Sequence, residues 1–412
     1  MTTGTGAAVR SAPTEMERWV CEAGAGGGRE AVVEALARTR LYLLTARPHA
    51  DAPGFAAPLP SQRDPATGRM RVPVLTPGML PPWHPEWVFR ETSLAELADV
   101  WPDNGWWLAV NPGTPYEVAV EARPRHRRAW RSARERSGGP PGGRLLTHGG
   151  GPLHGPLARA LALGAHLAVH NGIVWNQLGA VYQDYGTDVA RLRNPWGVHH
   201  RAGYARVLEA LTENRLSGRA EEYVLRARRT LAERLGRTPV YGEWADAVSR
   251  TLAGRGAHGA EAAEAGQALR RIAGHEARLR TEGLLAPDGR IDSLAAFDHG
   301  RAVNVVRLAL SARYCDPGEA ERAVLEIGAR ARRAYGSWAE FSLGYTLARL
   351  ILFDTESGTD TGTGTESGSG PGSRSDTGPD SDGESAARHR ESLAHHRILT
   401  EDPMSPYRNI PW

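Results

Sequence analysis

The hydrophobic pattern changes period once along the chain, and that change limits the fold more than any other feature. Between about residues 28 and 122, short apolar runs rich in Val, Trp, Tyr and Leu alternate with Pro/Gly turns and helical stretches. From Pro152 to about Asp354 the apolar residues recur at helical spacing instead. A two-residue period builds strands and a 3.6-residue period builds amphipathic helices, so the two halves cannot share one architecture. The expectation is an α+β N-terminal domain joined to a larger all-α C-terminal domain. At 412 residues the chain is also too long for one ordinary core.

In the first half, residues 29–39 read as a helix leading into a strand at 41–45, with further strands at 69–76, 86–91, 106–111 and 116–122. Ser93 and Glu96 have capping-box spacing, in which each side chain satisfies a free backbone N–H, so a short helix is expected over 94–101. The glycine-rich stretch 24–28 follows no strand and lacks dinucleotide-binding spacing, which makes it a flexible leading loop. Eight arginines lie among Pro, Gly and Ser in 123–144, with only Glu135 opposing them, and apolar periodicity disappears. This pattern predicts a linker over 123–151. Asp316 and Ser337 are N-cap candidates for helices starting at 317 and 338, the first with Pro317 at its tolerated first position. On the second, Trp338, Phe341, Tyr345 and Leu352 share one face and should pack into a core.

The expected organisation is therefore a flexible 1–19, an α+β domain over 20–122, the linker, and an all-α domain over 152–354. Residues 355–388, almost wholly Thr, Ser, Gly, Asp and Glu, cannot offset the entropy of ordering and read as a disordered acidic insertion. Apolar residues return at Ile398, Leu399, Tyr407 and Trp412, so 389–412 is expected to dock back as a tail of the all-α domain.

All fifty basic residues are arginine, and without lysine there is no Schiff base, no pyridoxal phosphate attachment and no phosphate-loop or kinase lysine. A GC-rich coding bias accounts for this better than any demand for guanidinium groups. The net charge of +3 is small for this length. Cys21 and Cys315 make neither a disulfide framework nor a paired-cysteine motif, which fits a reducing cytosol. Residues 1–20 form no continuous apolar stretch of the secretory kind, and no run approaches the length of a membrane span.

Few groupings point to chemistry. His166 and His170 stand at i and i+4, as zinc ligands would, but no third ligand has matching spacing, so they read as partly exposed histidines. The HExxH and Gly-x-Ser-x-Gly patterns are absent. Arg123, Arg125, Arg127 and Arg128, with His126 and Trp130, could in principle grip phosphates, although a solvated linker is the simpler reading. Trp83, Trp87, Trp101, Trp106 and Trp107 crowd 25 residues, and most are expected in the core, leaving Trp83 and Trp87 as candidate contact residues. Asp298, Arg301 and Arg307 are polar groups on one helix whose other residues are mostly apolar. They are the remaining candidate binding residues, with an ion pair between Asp298 and Arg301 as the structural alternative.

Two resemblances follow. Val72-Pro73-Val74-Leu75-Thr76 and Asn111-Pro112-Gly113 make residues 20–122 resemble the SseB-like N-terminal domain, a family named for a type III secretion context. Residues 157–412 resemble the bacterial domain of unknown function 1266 through Trp196-Gly197-Val198, Phe297-Asp298-His299-Gly300-Arg301, Arg307, Ser337-Trp338, Tyr345, Ser405-Pro406-Tyr407 and Pro411-Trp412. Phe297 and Tyr407 stand where that family usually has Trp, and Ala348 stands where it has Gly. The resemblances imply a role in bacterial regulation, secretion or conflict. The functional expectation is a non-enzymatic cytoplasmic protein whose two domains bind protein partners, with no catalytic residues, metal or cofactor and no nucleic acid. The alternatives are a small-ligand binder or enzyme using the Asp298 helix, and nucleic-acid binding through the arginines.

Overall fold

A computed structural model describes residues 12–26, 28–52, 58–139, 142–179, 184–257, 259–358 and 381–412, with backbone alone at 355–358 and 381–385. Most of the predicted insertion, and residues 1–11 of the predicted flexible segment, lie outside the described residues. The N-terminal region carries strands and helices, and the C-terminal part is mostly helical. The chain forms two compact units, one of Met1–Leu153, Ala168–Tyr204 and Val305–Arg322, the other of His154–Leu167, Ala205–Asn304 and Ala323–Trp412. These units interleave along the chain.

In the first unit, β2 (Gln62–Arg63), β3 (Met70–Val74), β5 (Trp107–Val110) and β6 (Val118–Glu121) form a sheet in the order β2-β3-β5-β6. β3 and β5 run parallel, with Val72 opposite Leu108 and Val74 opposite Val110. β1 (Leu41–Ala46) and β4 (Trp87–Thr92) make a separate antiparallel pair. Alternation places Val72, Val74, Leu108 and Val110 in one core with Leu36, Leu41, Leu43, Leu94 and Leu97. Pro73 is tolerated because β2 pairs only Met70 and Arg71, so the missing N–H falls where β3 has no β2 partner. Past the ends of β3 and β5, Asn111 takes a left-handed φ of 51°, and its Oδ1 accepts from Thr76 N at 2.9 Å. The two segments that carry the N-terminal resemblance therefore meet at one buried joint.

Three elements differ from expectation. Glu15–Gly26 is a helix rather than a flexible lead, anchored by Glu17, whose buried carboxylate accepts from Thr14 N and Gly78 N, each at 2.9 Å. The segment read as a linker is helical from Pro124 to Ser137, and its buried residues are His126, Trp130 and Ala133. Trp130 is fully buried against the edge of Trp101, and Arg127, Arg131, Arg134 and Arg136 bond to Asn104, Asp99, Ala37 O and Glu34. The third difference is the tryptophan group. Trp101 and Trp106 pack against the core while still partly exposed, Arg69 lies over Trp107, and Trp87 is 45% exposed.

In the second unit, Arg219–Leu235, Tyr241–Gly254 and Ala260–Thr281 pack through a buried clamp in which Arg228 holds both oxygens of Glu276 at 2.8 Å. Ile291 N donates to Glu276 Oε1 at 2.8 Å, and Arg228 stacks over Trp244. Such a pair is viable because every charged oxygen has a partner. Helix Trp338–Gly358 buries Trp338, Phe341 and Tyr345, and Ser381–Glu401 lies along it. The last eight residues of the predicted insertion, 381–388, belong to this second helix. Tyr407 stacks on Trp338 at 4.4 Å, Trp412 meets Trp338 edge-on, and Trp338 Nε1 donates to Ile410 O at 2.7 Å.

Candidate functional site

The strongest run of polar residues within an apolar helix is Asp298–Arg301, near the start of Ala295–Ser311. Asp298 is fully buried, and its Oδ2 accepts from Leu216 N at 3.1 Å and Ser217 N at 2.9 Å. Its Oδ1 accepts from Arg301, whose guanidinium also lies 4.2 Å from the centre of the Phe297 ring. The carboxylate therefore ties a loop between two helices to a third helix. Gly300 is required by crowding, since a Cβ there would stand 2.7 Å from Tyr345 and 3.0 Å from Leu163 O. His299 is buried with neither ring nitrogen hydrogen-bonded among the described residues, and desolvation drives its pKa down to about 4, so it is neutral at pH 7.

The same unit holds a buried polar relay that sequence spacing did not reveal. His166 Nε2 lies 2.9 Å from Ser342 Oγ, which lies 2.8 Å from His396 Nδ1. The His166 ring stacks on Tyr345 at 4.2 Å. His166 is buried, not partly exposed as its spacing suggested. Desolvation depresses its pKa well below the usual imidazole range, and the neighbouring His396 falls to about 4 for the same reason. The serine thus bridges two neutral imidazoles from different segments, an arrangement that exchanges hydrogen bonds but offers nothing to solvent. His166, Ser342 and His396 are 176 and 54 residues apart along the chain, which no local pattern encodes.

The other predicted site residues lie in the first unit. Arg307 donates to Val174 O at 2.7 Å and is buried. Trp83 Nε1 donates to Leu310 O at 3.0 Å, and Arg313 lies over the Trp83 ring at 5.2 Å. Arg313 spends its guanidinium on carbonyls: His84 O at 3.1 Å, Leu310 O at 3.0 Å, Ser311 O at 2.7 Å, and Trp87 O. Desolvation by burial lowers its pKa to about 10, and it stays cationic at pH 7. Arg313 also has φ of 64°, unusual for a side chain with a Cβ. Sequence reading missed this residue, which no local spacing singles out. The structure thus groups Trp83 and Trp87 around Arg313 in the first unit and places Asp298 with Arg301 in the second.

A mostly helical unit closed by an aromatic tail, with Asp298, Arg301, His166 and Ser342 bonded to one another or to its backbone, is the class that this geometry defines. The family described as a protein of unknown function, DUF1266, matches residues 191–412, more than half of the chain, and the chain belongs to that family. No curated protein and no solved structure matches it. Among the described residues, no helix is long and apolar enough to cross a membrane.

Proposed function

We propose that the chain is a non-enzymatic bacterial interaction or regulatory protein whose DUF1266 part engages a protein partner. The observation that carries this reading is the connector between helices Arg219–Leu235 and Tyr241–Gly254. Leu235, Val240 and Tyr241 are 41%, 63% and 50% exposed there, three large apolar residues within seven positions. A single exposed apolar side chain is ordinary, whereas a local group of them marks a surface that gains by being covered. The internal use of Asp298, Arg301 and Arg307 supports the same reading against a catalytic one.

The resemblance of 20–122 to the SseB-like domain extends this reading to a second partner-binding domain, a cytoplasmic location, and a link to secretion or conflict between bacteria. Nucleic-acid binding through the arginines is disfavoured, because Arg127, Arg131, Arg134 and Arg136 are bonded within their own unit. The test is quantitative co-purification from the native host of wild type beside the Val240→Asp/Tyr241→Ser variant. The expected result is the loss of a defined partner at an unchanged melting temperature. Identical co-purifying proteins would remove the assignment.

A further inference from the structure

The helix Ser381–Glu401 docks on the second unit through a contact built from titratable groups. His166 Nε2 and His396 Nδ1 both meet the hydroxyl of Ser342, at 2.9 and 2.8 Å. A hydroxyl carries one proton, so the bridge is complete when one imidazole accepts that proton and the other donates an N–H to the oxygen. Two neutral rings of opposite tautomer supply this. When both rings are protonated, both nitrogens donate, the hydroxyl proton has no acceptor, and two cations meet at one oxygen. All three residues are buried, so solvent does not complete the bonding.

The surroundings give such charge no relief. His395 and Arg349 lie near His166, and Arg397 lies near His396, each positive when charged. The Tyr345 ring stacks on His166 at 4.2 Å, and the Tyr407 ring lies 6.1 Å away. Glu391 is shared between Arg349 at 3.5 Å and His395 at 3.6 Å. Among the described residues neither ring of the bridge is paired with a carboxylate. Other ties of the same helix, Arg397 to Glu282 at 3.1 Å and His389 to Arg278 at 3.3 Å, lie at the surface, where such pairs contribute little.

We propose that the His166–Ser342–His396 bridge is an acid-released clasp: protonation of both imidazoles frees the helix Ser381–Glu401 and its tail from the core and uncovers the aromatic face of Trp338, Phe341 and Tyr345. Tyr407 and Trp412 cover part of that face in the docked state. Desolvation holds both rings below their ordinary pKa when docked, and release returns them towards 6.5, so docking is whole above about 6.5 and weakens as pH falls. Two such groups weaken it by up to about a hundredfold per pH unit. The clasp is separate from the exposed connector at Leu235, Val240 and Tyr241, so its failure and that of the interaction reading are separately visible.

The test is amide hydrogen exchange of the full chain at pH 7 and pH 5, corrected for the intrinsic rate. At pH 5 the amides of 389–412 should lose on the order of a hundredfold in protection, while those of Arg219–Leu235 and Ala260–Thr281 keep theirs. Return to pH 7 should restore it. The His166→Gln/His396→Asn variant places amide groups where the bonded ring nitrogens stand but does not titrate, and it should abolish the acid response. His389→Gln, which removes a surface imidazole of the same helix, should leave the response intact. If the double variant does not fold, the wild type and His389→Gln decide. Unchanged protection of 389–412 at pH 5, simultaneous loss across the whole second unit, an undiminished response in the folded double variant, or its disappearance in His389→Gln would each overturn the clasp.

Discussion

Asp298→Ala tests whether the most conspicuous polar motif of the chain holds the fold or serves a ligand. The substitution removes the acceptor for two backbone N–H groups, at Leu216 and Ser217, and the counterion of Arg301. Each stranded N–H costs about 1–3 kcal/mol if water cannot reach it. Removing one partner of a buried ion pair costs about 3–5 kcal/mol in all, because the remaining charge is uncompensated. The Arg301 side chain is 15% exposed and recovers part of its hydration, which places the expected loss near the lower figure, about 3 kcal/mol. For a cooperative unit of this size, about 2–4 °C per kcal/mol applies, so the melting temperature should drop by roughly 6–12 °C. Arg301→Ala should cost less, since Asp298 keeps both backbone donors, and the double variant should show a coupling of about 1–3 kcal/mol. Thermal and urea denaturation of the four proteins measure this. A melting temperature of Asp298→Ala within about 1 °C of wild type would refute the structural assignment and return the motif to candidacy as a binding site.

Other expectations follow from the same geometry. Trp412→Ala removes the contact with Trp338 and the Nε1 bond to Tyr335 O, and should lower stability by about 2 kcal/mol, measured by urea denaturation. Trp130→Ala empties a fully buried site and should cost about 3–5 kcal/mol, whereas a true linker would tolerate it at no cost. Acid should destabilise the fold before carboxylates titrate. His396 is held near 4 when folded and titrates near 6.5 when unfolded, so its contribution is whole above about 6.5 and is lost as pH falls towards 4. Urea midpoints at pH 7 and pH 5 should show the decline, and it should shrink in a folded His396→Phe variant. Heparin retention of the Arg123→Ser/Arg125→Ser/Arg128→Ser variant should match wild type; a salt-sensitive difference would revive nucleic-acid binding.

What could be read from the sequence was whatever is encoded within a few residues. The helix Leu94–Asp99 was legible because Ser93 and Glu96 form a reciprocal capping box, and Pro317–Ala334 because Asp316 and Glu319 do the same. The aromatic stripe of Trp338 and the return of apolar residues after 389 foretold a docked tail. The helix Pro124–Ser137 was missed because only His126, Trp130 and Ala133 face inward, too few to raise a periodicity above eight arginines. Its signals were punctuation instead: Pro124 in the first turn and Gly138 in the left-handed conformation just past the end. The Arg228–Glu276 clamp, the His166–Ser342–His396 relay and Arg313 were invisible, since each depends on partners brought together only by folding.

The interleaving of the first unit sets an order of events during synthesis. Its sheet is complete on the chain by Leu153, but the residues that receive the Trp83 indole N–H and cradle β4, Leu310 and Arg313, arrive some 227 residues after the tryptophan. At about 5–20 residues per second, the sheet waits roughly 10–30 s on the ribosome for its final segment. During that interval the nascent sheet is a natural client for chaperones and a target for proteases. A lesion that slows translation or misfolds the helices between 205 and 304 would therefore injure the α+β unit without altering one of its residues.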